Sequence, residues 1–160
     1  MTAFDDLMAF QRETEALAQV AGRLGWDQET VMPEGSGDQR AEEMAAMEGV
    51  LHARRVDPRV PGWLAAVDEA ALNDAGRAQL RHIRRAHVRA TKVPSALASA
   101  LARATSRSQR IWVEARRTED VAAFLPALSE VLALRREEAQ ALAEGGDPYD
   151  ALLDDYEPGA

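Results

Sequence analysis

The stretch SALASALARATSRSQRIWVEA, residues 95–115, decides the fold class of this chain. Its less polar side chains recur at alternating spacings of four and three, a pattern that places one stripe along a single face of an α-helix. The stretch therefore predicts a long helix packed against a partner, with Ser95 able to cap its start after Val93-Pro94. The stripe comprises Leu97, Leu101, Ala104, Ser108, Ile111 and Ala115.

Upstream of this stretch the same helical periodicity appears over residues 5–24. We expect this first helix to end near Gly25, because residues 26–37 contain one Pro and two Gly, which break helices. The further predicted helices are 38–56, a short helix containing Trp63 after the break at Pro61-Gly62, and a helix that begins with Asn73 or Asp74 as its cap and reaches about Thr91.

Downstream, a final long helix is expected over residues 119–144. Pro126 falls within its opening turns or produces a bend, and Gly145-Gly146 ends it. Its apolar positions are Val121, Leu125, Leu128, Leu132, Ala139 and Leu142.

The composition agrees with a helical protein. Of the 160 residues, 46% are hydrophobic but only 5% are aromatic, and the alternating pattern of strands is essentially absent. We expect an all-α fold, an antiparallel bundle of about five to six helices with long helical hairpins, forming one domain over residues 1–160.

The charge and the missing cysteines exclude several classes of function. A formal net charge of −8 repels phosphate backbones and anionic membranes, so neither nucleic acid nor a membrane is an expected partner. With no cysteine, disulfides, Cys-based zinc sites and thiol nucleophiles are excluded. The acidic start lacks the basic region of a signal peptide, and no segment approaches the roughly 20 apolar residues that span a bilayer. We expect a cytoplasmic protein.

The three histidines are the first candidates for metal or acid–base chemistry. His52 lies near a predicted helix end, where the helix dipole favours a cation, and a structural role is favoured over catalysis. His82 and His87 are separated by about 140° around a helix, so they cannot easily share a metal. His82 is followed by Ile83, so the HExxH motif of zinc peptidases is absent here. His87 is interpreted as a packed or interface residue.

One predicted helix carries a basic cluster inside this acidic chain. Nucleic-acid binding is one interpretation, but arginines on exposed helices more often pair with acidic neighbours, and no aromatic side chains are interleaved for base stacking. Acidic pairing is therefore expected. The cluster comprises Arg77, Arg81, Arg84, Arg85, Arg89 and Lys92.

The aromatic residues and the acidic tail have structural interpretations too. Trp26, Trp63 and Trp112 are expected in core or interhelical packing, because large rings dominate core energetics. Residues 147–157 gather five carboxylates, but two leucines stand where a calcium loop needs polar ligands. A solvated turn is expected, in which the apolar side chains seek burial. These are Tyr149, Leu152, Leu153 and Tyr156.

Three sets of residues, in this order, carry a resemblance to a known family. The first is LGWDQETVMPEG (24–35), followed by RAEE (40–43) and His52; the second is TSRSQRIWVEAR (105–116); the third is YDALLDDYEPG (149–159). The chain resembles the amino-terminal part of the carboxypeptidase Taq family of metallocarboxypeptidases. The resemblance covers essentially the whole chain.

The resemblance implies a helical, cytoplasmic, metal-dependent hydrolase, commonly a homodimer, that removes residues one at a time from peptide carboxyl termini. In the family, HExxH histidines and a further Glu bind zinc or a similar divalent ion, possibly cobalt. Those blocks lie downstream of the matched region, so no catalytic, cofactor-binding or metal residue is assigned to this chain. It is expected to be inert alone, to form the wall and lid of the substrate groove, and to expose an apolar patch that the missing catalytic half or self-association would cover.

Two other functions stay open. A stand-alone helical module could bind a partner or self-assemble without catalysis. A helical protein that binds nucleic acid through residues 77–92 would require binding that falls steeply with salt.

Overall fold

The computed structural model of the chain describes residues 2–158 and confirms the all-α fold, with no strand over that range. The helices are α1 (Ala3–Thr30), α2 (Gly37–Arg55), α3 (Arg59–Ala66), α4 (Asp74–Lys92), α5 (Ser95–Arg117), α6 (Val121–Ala143) and α7 (Pro148–Leu153), with a short 3-10 turn at Glu69–Ala71. In this part of the chain no helix is both long and apolar enough to cross a membrane.

Helices α1 and α2 form an antiparallel hairpin that side chains connect at both ends. At the connecting turn, the Arg40 guanidinium donates to the Asp27 carboxylate at 2.6 Å. At the open end, Arg54 Nε donates to the Thr14 hydroxyl at 2.8 Å. Residues from the start of one helix therefore meet residues from the end of the other.

Helix α5 packs against α2, also in antiparallel orientation. Arg103 Nε donates to a Glu42 carboxylate oxygen at 2.6 Å near one end of the pair. At the other end, the His52 ring meets the Val93 carbonyl just before α5 begins. Helix α6 returns along α5 after the short connection at 118–120, so the predicted long helical hairpins are present.

The predicted stripe of α5 faces this interior. Leu97, Leu101, Ala104 and Ala115 are buried, whereas Ser108 and Ile111 are half-buried. The α2 side of the seam contributes the small residues Ala41 and Ala45, which let the two helix backbones approach closely. A separate core joins α1, α3 and α4 through Leu7, Phe10, Val60, Leu64 and Leu80.

Helix α1 continues past Gly25 to Thr30, so the expected end near Gly25 is wrong. A glycine inside a helix costs only about 1 kcal/mol relative to alanine. Contacts from other helices offset this cost, since Arg40 donates to the Leu24 carbonyl and Gln28 is bonded to Ser106 of α5. The helix ends before Pro33, whose ring disfavours helical backbone at the preceding residue.

Two other expected helix starts are wrong. Helix α3 begins at Arg59, so Pro61 lies inside its first turn, where the missing N–H has no helical partner to lose. Ser95 is the first residue of α5 and does not cap it; Pro94 occupies the cap position, without a side-chain hydrogen bond. The predicted cap of α4 is confirmed, because the Asn73 side chain accepts from the Gly76 N–H at 2.9 Å.

Helix α6 runs through Pro126 in its second turn and ends before Glu144 and Gly145, both of which have positive φ. The predicted stop at the glycine pair is confirmed. The short α7 was not predicted. It begins with Pro148, which suits the first helical position, and the Asp147 carboxylate accepts from the Tyr149 N–H at 2.7 Å.

Candidate functional site

The buried guanidinium of Arg40 organises the junction of α1 and α2. It donates to Asp27 at 2.6 Å, to Glu43 at 2.8 Å and to the Leu24 carbonyl. The hydrogen bond to Asp27 is the main cause that raises the pKa of Arg40 above its usual value. Four residues of the first signature set thus form one cluster, whose role is to connect two helices.

Gln28 and Ser106 make a second connection between signature residues 78 positions apart. The Ser106 hydroxyl donates to Gln28 Oε1 at 2.6 Å, and Gln28 Nε2 donates to the Ser106 carbonyl at 3.1 Å. Ser106 is buried, so the pair satisfies polar atoms that have little access to water. This contact fixes α5 against the end of α1.

A groove of about 400 Å³ opens beside this contact, between the end of α1 and helices α2, α5 and α6. An adjoining groove of about 320 Å³ reaches α4. Glu48 and Glu138 line both grooves. Each carboxylate pairs with an arginine, Glu48 with Arg55 at 2.8 Å and Glu138 with Arg135 at 2.6 Å. The charges are mutually neutralised, so the grooves offer polar contacts rather than an activated acid or base.

Sequence reasoning did not find the Glu48 and Glu138 pair. These residues lie 90 positions apart on helices that are not consecutive in the chain. Each resembles an ordinary surface glutamate of an amphipathic helix, so no local signal distinguishes them.

The three histidines do not converge. His52 Nε2 lies 2.7 Å from the Val93 carbonyl and His87 Nδ1 lies 2.6 Å from the Arg55 carbonyl. Because a carbonyl only accepts, both ring nitrogens act as donors there. His82 is exposed. His52 therefore links the end of α2 to the start of α5, and His87 links α4 to the end of α2.

These donors do not fit a zinc site. Among residues 2–158, no three His, Asp or Glu side chains are grouped so that they could hold a metal ion. The ring nitrogens of His52 and His87 that face the interior are used by backbone carbonyls. No catalytic step through a metal is derived from these residues.

The basic cluster of α4 is paired with acidic side chains, which confirms the expected pairing. Helix α7 and the residues after it supply Asp154 and Asp155, which bind Arg85 and Arg89. The remaining ion pairs are Arg77–Asp74, Arg84–Glu69 and Lys92–Glu144, at 2.7 to 2.9 Å. The tail thus lies against α4, and most of the positive charge is neutralised.

The aromatic residues divide into two groups. Trp63 packs against Phe10 with ring centroids 5.4 Å apart, as expected. Trp26 and Trp112 are 61% and 46% exposed, so their expected burial is wrong within this chain. The same holds for Tyr149 and Tyr156 of the tail, which are exposed, whereas the neighbouring leucines are half-buried.

The first half of the predicted apolar stripe of α6 also faces outward. We call Val121, Leu125, Leu128 and Leu132 the α6 stripe; these side chains are between 37% and 69% exposed. Ala139 and Leu142, further along the helix, are buried. The periodicity was identified from the sequence, but most of its partner surface lies outside this chain.

Comparison with known proteins identifies relatives of this helix arrangement. The family described as carboxypeptidase Taq (M32) metallopeptidase matches residues 6–160. Thermostable carboxypeptidase 1 of Thermus thermophilus is 42% identical, over 98% of this chain and 33% of that protein. The crystal structure of BsuCP has the same fold, with a TM-score of 0.92 at 20% identity over 100% of this chain and 33% of BsuCP. A Pyrococcus furiosus carboxypeptidase structure has a TM-score of 0.75 at 26% identity, over 100% of this chain and 32% of its own.

The chain spans about a third of the length of the relatives it matches. The family match nevertheless includes nearly every residue of the chain and confirms the resemblance carried by the three signature sets. The chain therefore belongs to the carboxypeptidase Taq (M32) family of metallopeptidases.

Proposed function

We propose that this chain is the amino-terminal helical part of a metal-dependent carboxypeptidase, a hydrolase that removes residues from the carboxyl termini of peptides. The observation that carries the proposal is the family match over residues 6–160, combined with the 42% identity to a thermostable carboxypeptidase three times as long. Within that enzyme the single helical domain 1–160 forms the wall and lid of the substrate groove.

The chain is inert by itself under this proposal. Metal-dependent peptide hydrolysis needs protein ligands, a metal-activated water and a general base together. The support here is local: the interior nitrogens of His52 and His87 donate to carbonyls, and Glu48 and Glu138 are bound to arginines. Zinc or another divalent ion such as cobalt belongs to the complete enzyme, on residues outside this chain.

The setting of the complete enzyme follows from the same proposal. It is a cytoplasmic homodimer that acts on peptides and does not bind nucleic acid or a membrane. The lack of cysteine in 160 residues suits a reducing compartment. The pairing of the α4 arginines with Glu69, Glu144, Asp154 and Asp155 leaves little free positive charge for a nucleic-acid backbone.

The test begins with the coding DNA beyond the codon for Ala160. An in-frame continuation that encodes HExxH is expected. The complete product should release carboxy-terminal residues from peptides, lose this activity in a chelator and regain it with a divalent ion, while the 160-residue chain releases none. Metal-dependent release by the 160-residue chain itself would contradict its inertness.

A stop codon directly after Ala160 would instead support a stand-alone helical interaction module. The exposed α6 stripe favours this second candidate, since a contiguous apolar face of this kind usually contacts another molecule. Sedimentation of the chain over a range of concentrations would then identify self-association.

A further inference from the structure

Helix α6 presents two apolar faces, of which this chain covers one. The covered face includes buried Ala127 and half-buried Val131 and Leu134, and it lies against α5. The α6 stripe is rotated from that face by roughly 100° about the helix axis. Its four members follow one another at spacings of four, three and four, so they form a continuous row.

The α6 stripe continues onto α5. Val121 and half-buried Phe124 line a groove of about 520 Å³ together with Trp112. Arg116 is at the edge of this groove, with its guanidinium 6.0 Å from the centre of the Trp112 ring. An aromatic side chain and an aliphatic row thus join into one apolar face across the α5–α6 turn.

The course of the chain places further polypeptide close to this face. Helix α7 folds back against α6, and Asp154 and Asp155 hold it to α4. In BsuCP the same arrangement, at a TM-score of 0.92, makes up only 33% of the chain. A covalently attached segment has a high effective concentration at its neighbours, which favours it over a second molecule as the occupant.

We propose that the α6 stripe and the Trp112 groove dock an apolar helix face from the remaining two-thirds of the same polypeptide. This inference rests on the proposed place of the chain within a longer carboxypeptidase. It assigns the surface on which the two parts meet, with Leu125 and Leu132 at its centre and Trp112 at one end.

The test compares one substitution in two settings. Leu125→Glu/Leu132→Glu places two charges on the α6 stripe, and Ala133→Glu/Gln140→Glu places two charges on exposed positions of the same helix outside it. In the 160-residue chain both variants should leave Tm within about 1 °C, because the positions are exposed. In the complete protein only the stripe variant should lower Tm, by roughly 5 °C or more, because its charges become buried against apolar groups.

Equal Tm changes for the stripe variant in both settings would overturn the docking surface. So would a dimer of the 160-residue chain that the stripe variant dissociates, if the complete protein kept its Tm; the occupant would then be a second copy. Peptidase activity of the unsubstituted complete protein is measured separately. Activity without the Tm difference removes the docking surface alone, whereas the Tm difference without activity removes the proposed enzyme function alone.

Discussion

Arg40 of α2 donates to Asp27 of α1 across a distance of 2.6 Å, while the rest of its guanidinium reaches Glu43 and the Leu24 carbonyl. Arg40 is only 8% exposed. One buried cation therefore holds the last turns of α1, including Gly25, in helical form against α2.

Arg40→Ala should lower the free energy of unfolding by about 2 to 3 kcal/mol, because it leaves Asp27 and the Leu24 carbonyl without their buried donor. Urea denaturation followed by circular dichroism measures the change. Arg103→Ala is the matched control, since its ion pair with Glu42 is exposed and should contribute less than about 1 kcal/mol. Similar losses for the two variants would contradict the role of Arg40.

Gln28 and Ser106 should be energetically coupled. Gln28→Ala or Ser106→Ala alone should cost about 1 kcal/mol, because each leaves polar atoms of the partner unsatisfied in a site with little water. The double variant should cost less than the sum, by about 0.5 to 1 kcal/mol, in a double-mutant cycle from urea denaturation. Additive losses would show that the two side chains do not depend on each other.

Asp57 should make stability depend on acid pH. Hydrogen bonds from the Arg59 side chain, and then from its backbone N–H, lower the pKa of Asp57 from 3.8 to about 2. The depressed value means that the stabilisation is present above pH 4 and is lost as pH falls towards 2. Asp57→Ala should cost up to about 1 kcal/mol at pH 7, limited by solvent screening.

The difference between Asp57→Ala and the unsubstituted chain should narrow between pH 4 and pH 2, as measured by urea denaturation at several pH values. Asp74→Ala is a suitable control, because its pair with Arg77 is fully exposed on the acidic side. A difference that stayed constant down to pH 2 would show that the Asp57 carboxylate does not titrate with folding.

Glu119 should be replaceable by glycine with a gain in stability. Its φ of 57° lies in the left-handed region, where a Cβ is crowded. Glu119→Gly should raise the free energy of unfolding by about 0.5 to 1 kcal/mol, the relief of strain exceeding the added flexibility of the unfolded chain. Glu119→Ala removes the same carboxylate but keeps a Cβ, so it should show no such gain in thermal unfolding.

The parts of the fold that sequence could predict are those determined by neighbouring residues. The spacing of Leu97, Leu101 and Ala104 identified the buried face of α5, and the Asn73 cap was correct because an N-cap is a contact within one turn. The end of α1 was misplaced, since contacts with Arg40 and Ser106, distant in sequence, decide whether a helix passes Gly25.

The exposed surfaces show a different limit. Apolar periodicity indicates that Leu125 and Leu132 prefer burial, but it does not say in which part of a longer polypeptide the covering side chains lie. The grooves beside Glu48 and Glu138 arise from helices brought together by folding, so no sequence spacing announces them.

The signature residues of this chain have a consequence for how function is inferred across distant relatives. Asp27, Gln28, Arg40 and Ser106 are joined to one another across helices, and none of them carries an activated group. A genome-encoded chain that shares these four residues has inherited a framework of helices. Whether it has also inherited a reaction must be read from a different part of its gene.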